Sequence, residues 1–269
     1  MDNRSVRQRS AGIEVRILDN KKIKAVLFDL GETLITYGHI KTTSAIFEAG
    51  KRSYEYLKKM NQPVGRFASY IFGNLLNIRV RAVLAEIIGK DFDSLEELKK
   101  YGQRKKFTLT DEQWHEFNWY WYEPLTEHAS IESDLLEVLE AMTQSGIKLG
   151  IISNTFVNCS ALDRHLKDLG IIDFLPMRLY SYQYKCRKPN KHIFLKAAEN
   201  IDVPAENVMY VGDRIDKDVK GSLRAGMTPV LKKAHTNDGK TYPKNVAVIK
   251  TLSELPGLIE KINSKGDGQ

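Results

Sequence analysis

The strongest constraint on the fold is an alternation that sets in after Ile131. Short apolar runs at 147–152, 178–182, 208–211, 229–231 and 246–249 are separated by helically spaced segments at 135–144, 162–169, 192–199 and 219–225, and a last helix is expected from Ser253. Strands linked by crossover helices at this spacing lie side by side in a largely parallel sheet covered on both faces. An earlier run, 23–28 (IKAVLF), is apolar almost throughout, as suits a strand buried on both faces. Before it, 13–18 is also strand-like and is joined to it through 19–22, which reads as a hairpin.

From 41 to 123 the spacing is helical and no strand is evident. Ser94 with Glu97, and Thr110 with Gln113, have the separation of capping boxes and mark two helix starts. The expected division is therefore an N-terminal arm or strand at 1–22, an α/β core at 23–37 and 129–269, and a helical insertion at 38–128. Trp114, Phe117 and Trp121 share one helical face and form the core of the insertion, while Trp119 and Tyr120 are left to line its surface.

With 269 residues the chain can bury roughly three quarters of its unfolded surface, enough for this plan. Its net charge of +7 is carried by scattered short clusters such as Lys58–Lys59 and Arg104 to Lys106, without the aromatic-interleaved stripe of a nucleic-acid binder. No run of 18 apolar residues occurs, so no membrane partner is expected. Cys159 and Cys186 form no CxxC pattern and read as reduced thiols, in keeping with a cytoplasmic setting.

In open α/β sheets ligands bind beyond the carboxyl ends of the strands. The residues just past those ends are Asp29-Leu-Gly-Glu-Thr33, Ser153-Asn154-Thr155, a loop with Lys188-Pro189, and Gly212-Asp213-Arg-Ile-Asp216-Lys-Asp218. Brought to one crevice they offer a carboxylate at the sheet tip, a hydroxyl with an amide, one ammonium and a second acidic group. Each has a task in phosphoryl transfer. A phosphate monoester is dianionic and repels an attacking carboxylate unless a cation neutralises it, and Mg²⁺ prefers oxygen ligands of the kind Asp29 and Asp213 supply. Ser153, the N–H groups after it and Lys188 are suited to hold phosphoryl oxygens. Ser153-Asn154 has equally the character of a helix N-cap, Thr33 is either a hydroxyl beside the phosphate or a turn-packing residue, Arg187 reads as a surface residue, and His39 reads as a linker histidine.

These segments resemble the haloacid dehalogenase-like superfamily of Asp-nucleophile hydrolases, in particular phosphatase-like members with a helical cap inserted after the first motif. The similarity is carried by VLFDLGETL, IISNT, RKP and VGDRIDKDVKGSLRAGM, spread between residues 23 and 262. The resemblance implies a Rossmann-like core with a cap, Mg²⁺ as cofactor and a small phosphorylated metabolite as substrate. It makes Asp29 a nucleophile that forms an aspartyl-phosphate. It makes Ser153, Asn154 and Lys188 phosphate-binding, with the metal held by Asp29, the Gly31 carbonyl and Asp213. Asp218 either touches the metal or orients its waters, and Asp216 ranks below it.

One position departs from the pattern. Phosphatases of this family carry an acid/base Asp two residues after the nucleophile, where this chain has Gly31, leaving Glu32 or an insertion residue as a substitute. A missing acid/base costs about 10²- to 10⁴-fold in rate. Two further readings therefore stand beside the phosphatase: a carbon-attacking dehalogenase-type hydrolase, and a non-catalytic ligand-binding or regulatory protein. The oligomeric state is not legible.

Overall fold

A computed structural model describes residues 22–38 and 42–266. The expected hairpin strand at 13–18 and His39 lie outside the described residues.

Six strands form one wholly parallel sheet: β1 Ala25–Phe28, β2 Lys148–Ser153, β3 Met177–Tyr180, β4 Val208–Gly212, β5 Thr228–Lys232 and β6 Ala247–Ile249, in the spatial order β3-β2-β1-β4-β5-β6. The two-residue period of a strand divides β1 between both faces. Val26 and Phe28 join Leu149, Ile151, Met209 and Val211 on one side, whereas Ala25 and Leu27 join Leu179, Val208 and Tyr210 on the other. Helices α5 Leu135–Gln144, α6 Cys159–Asp168 and α10 Leu255–Gly266 cover the first face, and α8 Lys191–Asn200 covers the second through Ile193, Phe194 and Ala197. Each fully buried Leu or Phe in these layers contributes about 1.5–3 kcal/mol.

Four helices follow β1: α1 Thr42–Lys59, α2 Phe67–Ile88, α3 Ser94–Lys105 and α4 Asp111–Thr126. They enclose their own apolar cluster of Leu57, Tyr70, Ile71, Leu95, Leu98, Trp114 and Phe117, with Trp121 packed against it. The chain leaves and re-enters the sheet layer side by side, because Thr36 N donates to Ser130 O at 2.8 Å and Ser130 N donates to Thr36 O at 2.9 Å. Among the described residues no helix is long and apolar enough to cross a membrane. Both cysteines are free.

Several sequence expectations need correction. Thr110 and Gln113 form the expected capping box, but α3 is capped by Asp93, whose carboxylate accepts from Leu95 N, while the Ser94 hydroxyl donates to Asn118 Oδ1 instead. A cap was expected at Ser153-Asn154; the cap of α6 is Asn158, accepting from Ser160 N at 3.0 Å. The third strand stops at Tyr180, and Ser181–Tyr184 makes one helical turn (α7), because the Ser181 hydroxyl leaves the sheet edge to join Thr155 N and Asp91. The helix expected at 219–225 begins as a wide π-type turn, Ile215–Val219, and continues as α9 Lys220–Arg224. The final helix starts at Leu255, after a single 3₁₀ turn at Leu252–Glu254. Trp119 does not line a free surface: it is buried with Tyr122 against α6, under the Arg164 guanidinium at 4.1 Å. Arg187, read as a surface residue, is half-buried and joins Glu86 at 3.0 Å and Asp91 at 3.2 Å, tying the end of α2 and the loop after it to the sheet layer.

Candidate active site

The strand order turns outward from the centre at β1 and β4, and the crevice past their carboxyl ends is where an open parallel sheet places its ligand. Phe28 ends β1 level with Ile151 of β2 and Val211 of β4; β2 runs on to Ser153 and β4 to Gly212, so the three strands end within two residues of one another. Asp29 is tied there by its own N–H to Val211 O and by Leu30 N donating to its Oδ1, both near 2.8 Å. Ser153 ends β2 as a buried residue.

Lys188 occupies the middle. Its ammonium, in a residue only 2% exposed, lies 2.8 Å from Asp29 Oδ1, 2.7 Å from Asp218 Oδ1 and 2.8 Å from the Tyr210 hydroxyl. The loop that presents it is clamped by Asn154: the side-chain Nδ2 donates to Lys188 O at 2.9 Å and Lys188 N donates to Oδ1 at 2.8 Å. Asn154 therefore commits its amide to positioning the lysine, leaving only its backbone N–H for an anion.

Asp213 follows β4 and accepts from the Thr236 hydroxyl, with Thr33 Oγ1 at 3.4 Å, while Asn237 Nδ2 donates to Asp213 O at 2.9 Å. Asp218 lies within the wide turn Ile215–Val219, and its carboxylate accepts from Arg214 N at 2.8 Å. Space here is tight. A Cβ on Gly212 would meet the Asp218 carboxyl carbon at 2.5 Å, and that carboxylate, held by Lys188 and Arg214 N, has no free direction to yield. Asp216 stands outside the cluster, paired with Arg214 at 3.1 Å.

One oxygen from each of Asp29, Asp213 and Asp218 lies within 4.8 Å of the others. Three carboxylates around one ammonium carry a net charge of about −2 when ionised, and in a buried site this is costly. Burial pushes all three carboxyls above their usual range, Asp218 to about 6, with Lys188 opposing the rise at Asp29 and Asp218 and the Thr236 hydrogen bond opposing it at Asp213. Burial works against the Lys188 charge, yet Asp218 and Asp29 outweigh it and hold the lysine protonated. The Tyr210 phenol is driven upward by burial and then by Asp218 and Asp29, so it remains a neutral group. An all-oxygen donor set with excess negative charge fits a hard divalent cation such as Mg²⁺.

Glu32 lies in the turn after β1 with φ +57°, its Oε1 accepting from Tyr37 N at 3.0 Å and its Oε2 lying 3.1 Å from His235 Nδ1. Gly31 has ordinary negative φ and open space, since a Cβ there would find only Tyr37 Cε2, at 3.9 Å. Tyr210, Thr236 and Asn237 escaped sequence reasoning. Tyr210 is hidden inside an apolar strand, and the 235–237 loop follows β5 without a legible motif, although its place after a strand end was a usable signal.

A parallel sheet in this order, with an acidic cluster and a buried lysine past its central strands, defines a doubly wound α/β protein with one polar site at the sheet tip. The chain belongs to the haloacid dehalogenase-like hydrolase family, whose profile matches residues 23–226. Over 247 residues it is 27% identical to a glyceraldehyde 3-phosphate phosphatase of Methanocaldococcus jannaschii, covering 89% of this chain and 98% of that one. A second such phosphatase, of Methanopyrus kandleri, is 35% identical over 36% of this chain. The chain spans 41% of that relative's length and 54% of a haloacid dehalogenase-like hydrolase domain-containing protein 3 of Danio rerio. Among solved structures, a 2-haloacid dehalogenase of Pseudomonas syringae aligns with TM-score 0.60 at 22% identity, covering 89% of this chain and 99% of that one. It shares the fold.

Proposed function

We propose that the protein is a Mg²⁺-dependent phosphatase of a small phosphorylated metabolite. The observation that carries this is the convergence of Asp29, Asp213 and Asp218 around Lys188 at the sheet tip. Relatives named as phosphatases of glyceraldehyde 3-phosphate and of ribulose 1,5-bisphosphate support it.

Asp29, the Gly31 carbonyl and Asp213 would hold the metal, with Asp218 either a ligand or orienting its waters; bound there, Mg²⁺ neutralises charge on the phosphoryl group. Lys188, Ser153 and the N–H groups after Ser153 bind the phosphoryl oxygens. An Asp29 carboxylate oxygen attacks phosphorus, the phosphorus–oxygen bond to the alcohol breaks, and the alkoxide takes a proton. Water then hydrolyses the aspartyl-phosphate, returning free Asp29 and inorganic phosphate. Asn154 keeps Lys188 in place throughout. The α1–α4 unit acts as a cap, with its boundaries near 38 and 128, that keeps bulk water from the acyl phosphate. Glu32, paired with His235, is the substitute acid/base in place of the missing carboxylate at 31.

Phosphate release from a panel of monoesters is expected with Mg²⁺ and to stop with EDTA, and Mg²⁺ is expected to raise the melting temperature of wild type but not of Asp213→Asn. Release that EDTA leaves untouched would sink the metal assignment. The cluster also favours phosphoryl transfer over carbon attack, because an alkyl halide brings no dianion for a cation to neutralise.

Gly31→Asp is expected to raise kcat by about tenfold or more, since it supplies a proton donor worth about 10²- to 10⁴-fold in suitable geometry and the position has room for a side chain. Steady-state kinetics check this, and a fall in kcat with an unchanged melting temperature would show that Glu32 or another group already does the work.

A further inference from the structure

A cavity of about 210 Å³ lies between α1, α2, α3, α4 and the loop after β2. Its walls are mainly carbon, from Ile46, Ala49, Ile78, Leu98, Trp121 and Phe156. An apolar cavity of ~150 Å³ is enough to admit benzene, so this one has the size of a single substituted ring.

Two donors of the lining residues are out of place, and the amide of Asn118 is the one not carried by an aromatic wall. Asn118 is 2% exposed and its Nδ2 is a buried donor with no partner among the described residues. The orientation of that amide is dictated by a chain of hydrogen bonds. Asn158 N donates to Ser94 Oγ at 3.0 Å, so the Ser94 hydroxyl proton is directed to Asn118 Oδ1 at 2.8 Å, and Nδ2 is the end left over. Trp121 Nε1 is a second buried donor of the lining with no partner among the described residues, and the remaining polar side chains are satisfied. Asn74 donates to Tyr70 O, Asn77 Oδ1 accepts from Arg81, Glu97 is paired with Arg81 and Lys100, and the Tyr122 hydroxyl is shared between Tyr37 and His165. A buried unpaired donor costs about 1–3 kcal/mol, a cost that a bound acceptor would remove.

The cavity is also near the acids. Phe156 is three residues beyond Ser153, so chain length alone keeps their Cα atoms within about 11 Å. On the other side Tyr122 is joined at 2.9 Å to Tyr37, which borders Gly31.

We propose that this cavity holds the leaving group of the substrate, and that the substrates are phosphate monoesters whose alcohol carries an apolar ring with a carbonyl-type acceptor, gripped by Asn118 Nδ2. This rests on the phosphatase reading for the reaction, but the ring pocket is testable without turnover. A triose phosphate, small and polar throughout, leaves both the carbon walls and the Asn118 donor unused.

The test is binding of 2-pyridone, a six-membered ring with one carbonyl, to Asp29→Asn protein, followed by NMR shifts of the indole N–H groups. Binding is expected to weaken at least tenfold in Asn118→Leu and to disappear in Ala49→Leu, which fills the cavity from α1, whereas toluene is expected to bind Asn118→Leu as well as before. Melting curves identify the folded variants, and Ile78→Phe replaces either one that fails to fold. No binding of 2-pyridone to the parent, or equal binding to every folded variant, overturns the proposal. With Asp29 intact, the catalytic preference for 3-carbamoylphenyl phosphate over glycerol 3-phosphate, read as a ratio of specificity constants, is expected to fall tenfold on Asn118→Leu. Ring binding lost in Asn118→Leu, with neither ester hydrolysed, would sink the phosphatase reading and uphold the pocket.

Discussion

Asp29→Asn is expected to reduce Mg²⁺-supported phosphate release by about 10³-fold or more while leaving the protein folded. The proposed reaction needs an anionic oxygen at this position to form the bond to phosphorus, and an amide offers a neutral, far weaker one. Stability has little reason to fall. The carboxyl sits in a site where burial and Asp213 already press against its charge, so neutralising it relieves repulsion while an amide oxygen can keep the bonds from Leu30 N and Lys188. Phosphate release and thermal melting on the same preparation separate the two effects. Equal release by wild type and variant would remove Asp29 from the mechanism.

Lys188→Met is expected to damage both properties. Removing one partner of a buried ion pair costs about 3–5 kcal/mol, because it strands the other charge. Here it strands two, Asp29 and Asp218, and leaves Tyr210 without its ammonium donor. Denaturant unfolding in the absence of metal should show this loss, and added Mg²⁺ should return part of it by supplying a replacement cation. Phosphate release should remain near background even then, since the proposed phosphate ligand is missing. A variant with wild-type stability in EDTA would mean that the three acids are already largely protonated and that the lysine does not hold the cluster together.

Sequence and structure inform each other most at these residues. Asp29, Ser153 and Asp213 were legible because each stands at the end of an apolar run, and a parallel sheet sends all such positions to the same edge, whereas Lys188 and Asp218, in the loops beyond, were singled out by the motifs of the family the chain resembles. Their mutual distances were not legible, nor was the division of labour in the IISNT segment. Ser153 stands at the strand tip, while Asn154 spends its side chain on the backbone of Lys188, 34 residues away. Arg187 and Trp119 were misread for a related reason. Composition and local spacing report what a side chain prefers, whereas Arg187 is drawn inward by Glu86 and Asp91, and Trp119 is covered by α6 and Arg164. Asp93 displaced Ser94 as the cap of α3 because Ser94 is recruited by Asn118 on another helix.

Local patterning was thus enough for the order of strands and helices, the helical excursion between β1 and β2, and the set of acids at strand ends, all of which depend on short-range periodicity and chain connectivity. Tertiary structure alone decided that three of those acids converge and two of them share one lysine, that the 235–237 loop returns to hold Asp213, and that Asn118 is left with an unpaired donor in an apolar chamber. Those outcomes arise from contacts between segments tens to nearly two hundred residues apart, where the competition among partners is settled by packing and desolvation rather than by any neighbour along the chain.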